Sequence, residues 1–431
     1  MSQNDAMLQV LAALMSPDNA HRQQAEVFFT QQLETTLLET ISSLISILGA
    51  TELDITLRNM SGILLRRAID PASSYGSRIS RDDMQSLRTT LMNIWAAESQ
   101  PVLLKRLSHI IAQSAAAGEW DDLIPQLVGH GSTQAGDALL PILNLIEILA
   151  EYCPEDIGNH SQALVSLLGG IIANTETSTD VQVACAKAIG SCLVTLEDGE
   201  EEAKDAFRPA LSPLVQIMGA ALERGDELDA AAILEHLVEV AAQQPMFFKG
   251  VMDSIVSSML SVVSSEGLEF STRSLALELM VTLAESAPAL ARRCEGLIKG
   301  VVPLAMTLML ELDDDEQTWQ EGGYSEQEQG MEDENAAVGE EALERLAAGL
   351  GGRTVGPLVI SLVEQYASSP DAAYRRAAVA TLCRLAEGAS KIFQKSYLTT
   401  TFDFLQSSAR CVPASAVPIS TGCGSTGCTL P

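Results

Sequence analysis

Apolar residues recur at helical spacing along nearly the whole chain, and strand-like alternation is almost absent. Leu139, Ile142, Leu143, Ile146 and Leu149 share one helical face; so do Ala276, Leu279, Met280, Leu283 and Ala287, and again Ala378, Leu382 and Leu385. Turn-forming strings at 17–19, 99–101 and 368–370 cut the pattern into segments of roughly 12–20 residues. The pattern predicts an all-α chain of about nineteen helices joined by short turns.

The segments repeat. Ser16-Pro17-Asp18-Asn19-Ala20-His21-Arg22-Gln23-Gln24-Ala25 returns as Ser369-Pro370-Asp371-Ala372-Ala373-Tyr374-Arg375-Arg376-Ala377-Ala378, and a weaker copy keeps Asp54, Arg58 and Ser61 at the same spacing. Ser is expected to cap each helix, with Pro in the first turn and Asp at the positive end of the dipole. Arg four residues after Asp is expected to pair with it. A second recurrent position is a small residue late in every second helix: Ala112, Ala150, Cys192, Ala241, Ala284, Ala347 and Ala386. Their separations of 38, 42, 49, 43, 63 and 39 residues give a period of about 40, the signature of HEAT-type helix pairs. The expected fold is a HEAT-repeat α-solenoid over residues 1–405, a right-handed superhelix of about nine to ten helix pairs.

The 63-residue interval implies an insertion of roughly 20 residues, and the charge is concentrated there. The chain has 57 acids against 26 Lys plus Arg, a net charge of −31. Residues 311–341 carry thirteen of those acids, and no Lys or Arg occurs between Lys299 and Arg345. The stretch 311–335 is therefore expected to be a mobile acidic loop that attracts basic proteins in a salt-dependent way. Its leading residues are Asp313, Asp314, Asp315 and Glu316, with Trp319 as an apolar or cation–π anchor. A solvated spacer is the plainer reading of such a run.

The same charge argues against binding to nucleic-acid backbones. No apolar run reaches the ~20 residues of a membrane span; Leu139–Ala150 and Val301–Leu310 are the best candidates. The eight cysteines show no CxxC and the five histidines no metal-ligand spacing, so no disulfide framework, metal or cofactor is expected. Phosphate-cradling and nucleophile motifs are missing, and the glycines of Gly349–Thr354 follow a helix, as helix termination requires. The expectation is a non-enzymatic binding protein. Residues 406–431 lack helical periodicity and are expected to form a disordered tail.

The strings LELDDDEQTW, AVGEEALERLAAGLGGRTVGPLV, FSTRSLALELMVTLAESAPALARR and YRRAAVATLCRLAEGASKIFQK resemble the importin-beta (karyopherin-beta) family, as do LMSPDNAHRQQAE and NMSGILLRRAI near the N-terminus. The resemblance spans about residues 6–404. It implies a monomeric carrier shuttling between cytoplasm and nucleus, which binds basic cargo such as ribosomal proteins and histones, Ran-GTP and Phe-Gly nucleoporins. It also implies a chain shorter than its relatives. Ran-binding positions carried over are Arg22, Gln23 and Glu26, then Arg58, Arg66 and Arg67, then Lys105 and Arg106, with the acidic loop. Nucleoporin candidates are Phe207, Leu211, Phe247 and Phe248, of which one of the adjacent pair is expected to be exposed, since successive α-helical positions lie ~100° apart. Cargo candidates on later repeats are Glu278, Glu285 and Asp371. The competing expectation is a HEAT scaffold or a chaperone for basic proteins without Ran dependence.

Overall fold

The computed structural model describes residues 3–118, 120–174, 176–196, 201–310, 331–399 and 401–402. Asp313, Asp314, Asp315, Glu316, Trp319 and residues 406–431 lie outside them. Two compact units divide the chain, Met1–Val251 and Met252–Pro431.

In the first unit the described residues form helix pairs in chain order, beginning Gln3–Leu14 with Asn19–Thr35 and Leu37–Gly49 with Ile55–Ile69. The second helices Ile55–Ile69, Pro101–Ala116, Leu140–Tyr152, Thr179–Thr195 and Glu227–Gln243 pack each on the next, forming one row. The second unit repeats the arrangement with Phe270–Ser286, Met331–Leu350 and Ala372–Gly388. These three follow Met252–Val263, Glu295–Leu308 and Gly352–Ala367 within their pairs.

The recurrent small residue explains how the rows close up. Ala112, Ala150, Cys192, Ala241, Ala284 and Ala347 are all completely buried. A methyl or thiol at that position lets neighbouring helices approach, and a larger side chain would overpack the contact. Burial also pushes the Cys185 and Cys192 thiols up to about 12, which keeps them protonated and inert.

The repeated Ser-Pro-Asp string folds differently from its expected form. Asp, not Ser, is the cap: the carboxylates of Asp18, Asp54 and Asp371 accept from the amides of Ala20, Thr56 and Ala373 at 2.9, 2.8 and 3.0 Å. Arg22 does not pair with Asp18. Its guanidinium folds back to the carbonyls of Ser16 and Pro17 at 2.7 and 3.0 Å, and Arg375 does the same to Ser369 and Pro370 at 2.9 and 2.7 Å. The carboxylate is committed to the helix start, whereas the two turn carbonyls lack helical partners, so the arginine satisfies them instead.

Arg58 has a third solution. Its Nε donates to the Leu48 carbonyl at 2.9 Å and its guanidinium pairs with Glu98, with both side chains buried. Arg273 in the second unit donates likewise to the Val263 carbonyl at 2.8 Å. Each arginine thus satisfies a carbonyl in the last turn of the first helix of its own pair.

The helix Met331–Leu350 corrects the expected loop 311–335, since residues 331–335 are already helical. Glu340 and Glu341 therefore stand on a helix, where each meets an arginine.

Candidate functional site

The second helices carry the charged chemistry in both units. In the first unit Arg66, on Ile55–Ile69, reaches across two neighbours: Nε donates to Gln113 Oε1 at 2.9 Å, and a terminal nitrogen donates to the Tyr152 hydroxyl at 2.7 Å. Arg106 donates to Asn59 Oδ1 at 3.1 Å, and its stem lies over Gly62, where an added Cβ would meet Arg106 Cγ at 2.7 Å. Arg67, Lys105 and Glu26 are exposed, as is Gln23, while Arg22 is half-buried in its local turn. The residues Arg66, Lys105 and Arg106 come together around His109. Burial first, then Arg66 and Lys105, lowers the His109 pKa, with Glu151 opposing and Arg106 adding a smaller push the same way.

In the second unit arginines clasp carboxylates between successive second helices. Arg345 bridges to Glu278 at 2.6 Å, to Glu285 at 2.7 Å and to Glu341 at 3.6 Å. Arg384 bridges to Glu340, Glu344 and Glu387 at 2.7, 3.5 and 2.7 Å. Burial alone would push the Glu278 carboxyl up; the Arg345 guanidinium and the Thr282 hydroxyl outweigh it and hold the pKa below the ordinary glutamate range. Three carboxylates around each guanidinium leave two negative charges uncompensated at each clasp, on a half-exposed face. Sequence reasoning named Glu278 and Glu285, placed Glu340 and Glu341 only among the acids of the charged stretch 311–341, and missed Glu344 and Glu387. The signal was Arg345 and Arg384 standing within four residues of acids on predicted helices.

The phenylalanine candidates occupy the core. Phe207, Phe247 and Phe248 are 1%, 2% and 0% exposed, and Leu211 is buried too. The expected exposure of one of the adjacent pair is corrected: Pro245–Phe248 is a 3-10 turn, whose rings diverge more than on an α-helix, and both find buried positions. Arg208 covers Phe247, its guanidinium 5.4 Å from the ring centre. Phe207 nonetheless lines an apolar cavity of about 260 Å³, with Val165, Leu168, Ile172, Pro209 and Pro213, on the first-helix side of the Ser161–Ala173 pair.

Paired helices of this kind, with rows of second helices joined by small residues and polar clasps, define an all-α HEAT-repeat solenoid protein. Crystal structures of Kap121p share the fold: free Kap121p aligns at a TM-score of 0.79 with 22% identity, over 93% of this chain and 38% of that one. Kap121p bound to RanGTP aligns at 0.78 with 22% identity and the same coverage. In sequence, a model described as "IPO5-like, TPR repeats" matches residues 100–258 and one described as "Importin repeat" matches residues 265–357. Importin subunit beta-3 of Saccharomyces cerevisiae is 24% identical over 407 residues, 90% of this chain and 36% of that protein. Along most of its described length the chain is thus similar to importins. It spans little more than a third of the length of these relatives.

Proposed function

We propose that this chain acts as a nuclear transport receptor of the importin-beta type, working by reversible protein binding rather than catalysis. The observation that carries the reading is the pair of arginine-centred clasps, with their surplus of negative charge, on the second helices of an importin-type chain. A lysine- or arginine-rich import signal finds there a ready partner, because its cations meet carboxylates that one guanidinium only partly neutralises. The acid-rich residues Asp313, Asp314, Asp315 and Glu316, with Trp319, add a further attraction for basic cargo such as ribosomal proteins and histones.

Ran-GTP is the second proposed partner. Kap121p, which shares the fold, has been solved with RanGTP, with Pho4p and with Nup53p. The exposed Arg67 and Lys105, beside Arg66 and Arg106, offer a basic surface in an otherwise acidic chain. Glu26 and Arg22 extend the proposal to the first pair. For Phe-Gly nucleoporins the cavity lined by Phe207 is the proposed seat: a phenylalanine ring fits its apolar walls, and Phe207 serves as wall rather than as ligand. Phe247 and Phe248 shape the neighbouring core. The proposed setting is shuttling between cytoplasm and nucleus as a monomer.

The test is recovery of the immobilised chain's partners with GTP-locked against GDP-bound Ran. Preferential retention of the GTP form supports a transport receptor. Equal retention, or none, removes that reading and leaves a HEAT scaffold for basic proteins.

A further inference from the structure

The helix Ala372–Gly388 borders an apolar cleft of about 200 Å³. Leu382, Cys383 and Ala386 supply one wall, and Phe393, Leu398 and Phe402 supply the other. Among the described residues no charged side chain lines it. Phe402 and Leu398 are 58% and 38% exposed, and Cys383 is exposed as well. Apolar side chains gathered in the open gain by being covered. The cleft shares no lining residue with the cavity beside Phe207 or with the arginine clasps.

Phe402, on the rim, is the last described residue, and residues 403–431 follow it. From residue 404 onward runs the longest stretch of the chain without an acid, and its one charged side chain is Arg410. In a chain of net charge −31, such a stretch leaves water at the least cost. Within it Val417 and Ile419 flank Pro418. Proline fixes its own φ and pushes the residue before it out of the helical region, so the chain is extended there. Residues two apart in an extended chain point to the same side, and Val417 and Ile419 thus present one apolar face. Pro418 has no amide donor to be stranded on burial. Residues 403–416 reach up to about 46 Å when extended, enough for the segment to fold back onto a cleft whose rim is Phe402.

We propose that residues 417–419 dock in this cleft of their own chain, with Val417 and Ile419 against Leu382, Phe393 and Phe402 and lying over the Cys383 thiol. A tether of this kind holds the segment at an effective concentration on the order of millimolar. A contact too weak to join separate molecules therefore forms within one. The stretch 406–431, expected to be disordered throughout, is anchored at this point. The docked segment also keeps Leu398 and Phe402 from recruiting another apolar surface.

The test follows alkylation of Cys383 by N-ethylmaleimide in the whole chain under reducing conditions, mapped by mass spectrometry. The buried Cys185 and Cys192 stay unmodified while the fold is intact. Val417→Ser with Ile419→Ser removes the apolar contact without adding a charge that would alter the thiol. The double variant is expected to react at Cys383 about five-fold faster, at an unchanged rate for Cys185 and Cys192. Protection in the unsubstituted chain is expected to survive an about ten-fold dilution of the protein, as a contact within one molecule must. An unchanged Cys383 rate in the double variant would overturn the proposal. Protection lost on dilution would overturn it too, and would assign the cleft to a second copy of the chain. No Ran or cargo is present, so either failure leaves the transport reading standing.

Discussion

Arg345 holds Glu278 through two parallel hydrogen bonds, of 2.6 and 2.9 Å, across neighbouring second helices. The bidentate geometry fixes the spacing of those helices, and a lysine cannot reproduce it. Arg345→Lys is therefore expected to destabilise the protein nearly as much as Arg345→Met, by about 1 kcal/mol, because both residues are only part-buried. Urea unfolding measures this; full rescue by lysine would show that charge alone suffices.

The same clasp sets an acid limit on stability. The Glu278 pKa is lowered on folding, so its contribution is fully present above the ordinary glutamate range. It is lost as the pH falls through the lowered value, when the carboxylate protonates and releases Arg345. Arg345→Met is expected to flatten the acid side of the pH–stability curve relative to the unsubstituted chain. Unchanged steepness would assign the acid limb to other carboxylates.

Arg58 and Glu98 form a pair of a different kind, with side chains only 4% and 3% exposed. Arg58→Met removes the cation from a buried carboxylate, which keeps only the Ser99 and Gln100 amides, and removes the donor to the Leu48 carbonyl; it is expected to cost about 3 kcal/mol. The double variant Arg58→Met with Glu98→Leu is expected to recover part of that loss. A double variant no more stable than the single one would place the cost on the carbonyl instead.

Most of the architecture is legible in the sequence, because a helix pair repeating every ~40 residues leaves its mark on spacing alone. The small residue late in most second helices was readable for the same reason, since burial at Ala112 or Ala284 admits little else, whereas Ala386 is only half-buried. Side-chain partnerships were not. Asp18 and Arg22 have the charge and spacing of a pair, yet both are claimed by backbone groups whose positions depend on the turn before the helix. Phe247 and Phe248 look amphipathic only if the segment is an α-helix, and a proline at its first position makes a tight 3-10 turn instead.

Close packing in the row gives a fourth expectation. A Cβ at Gly190 would lie 2.7 Å from His236 Cβ and 2.8 Å from Cγ, at the rigid base of that side chain. Gly190→Ala is expected to cost about 1–3 kcal/mol through overpacking, and His236→Ala in the same chain to restore most of it. Thermal unfolding of the single and double variants checks this; strict additivity would contradict it.

The most direct test of a transport receptor is coupling between its two proposed ligands. The dissociation constant of a fluorescent lysine-rich import-signal peptide should be measured with saturating GTP-locked or GDP-bound Ran. The account predicts that the GTP form weakens the peptide about 5- to 150-fold and the GDP form leaves it unchanged. Equal affinity under both conditions would contradict it.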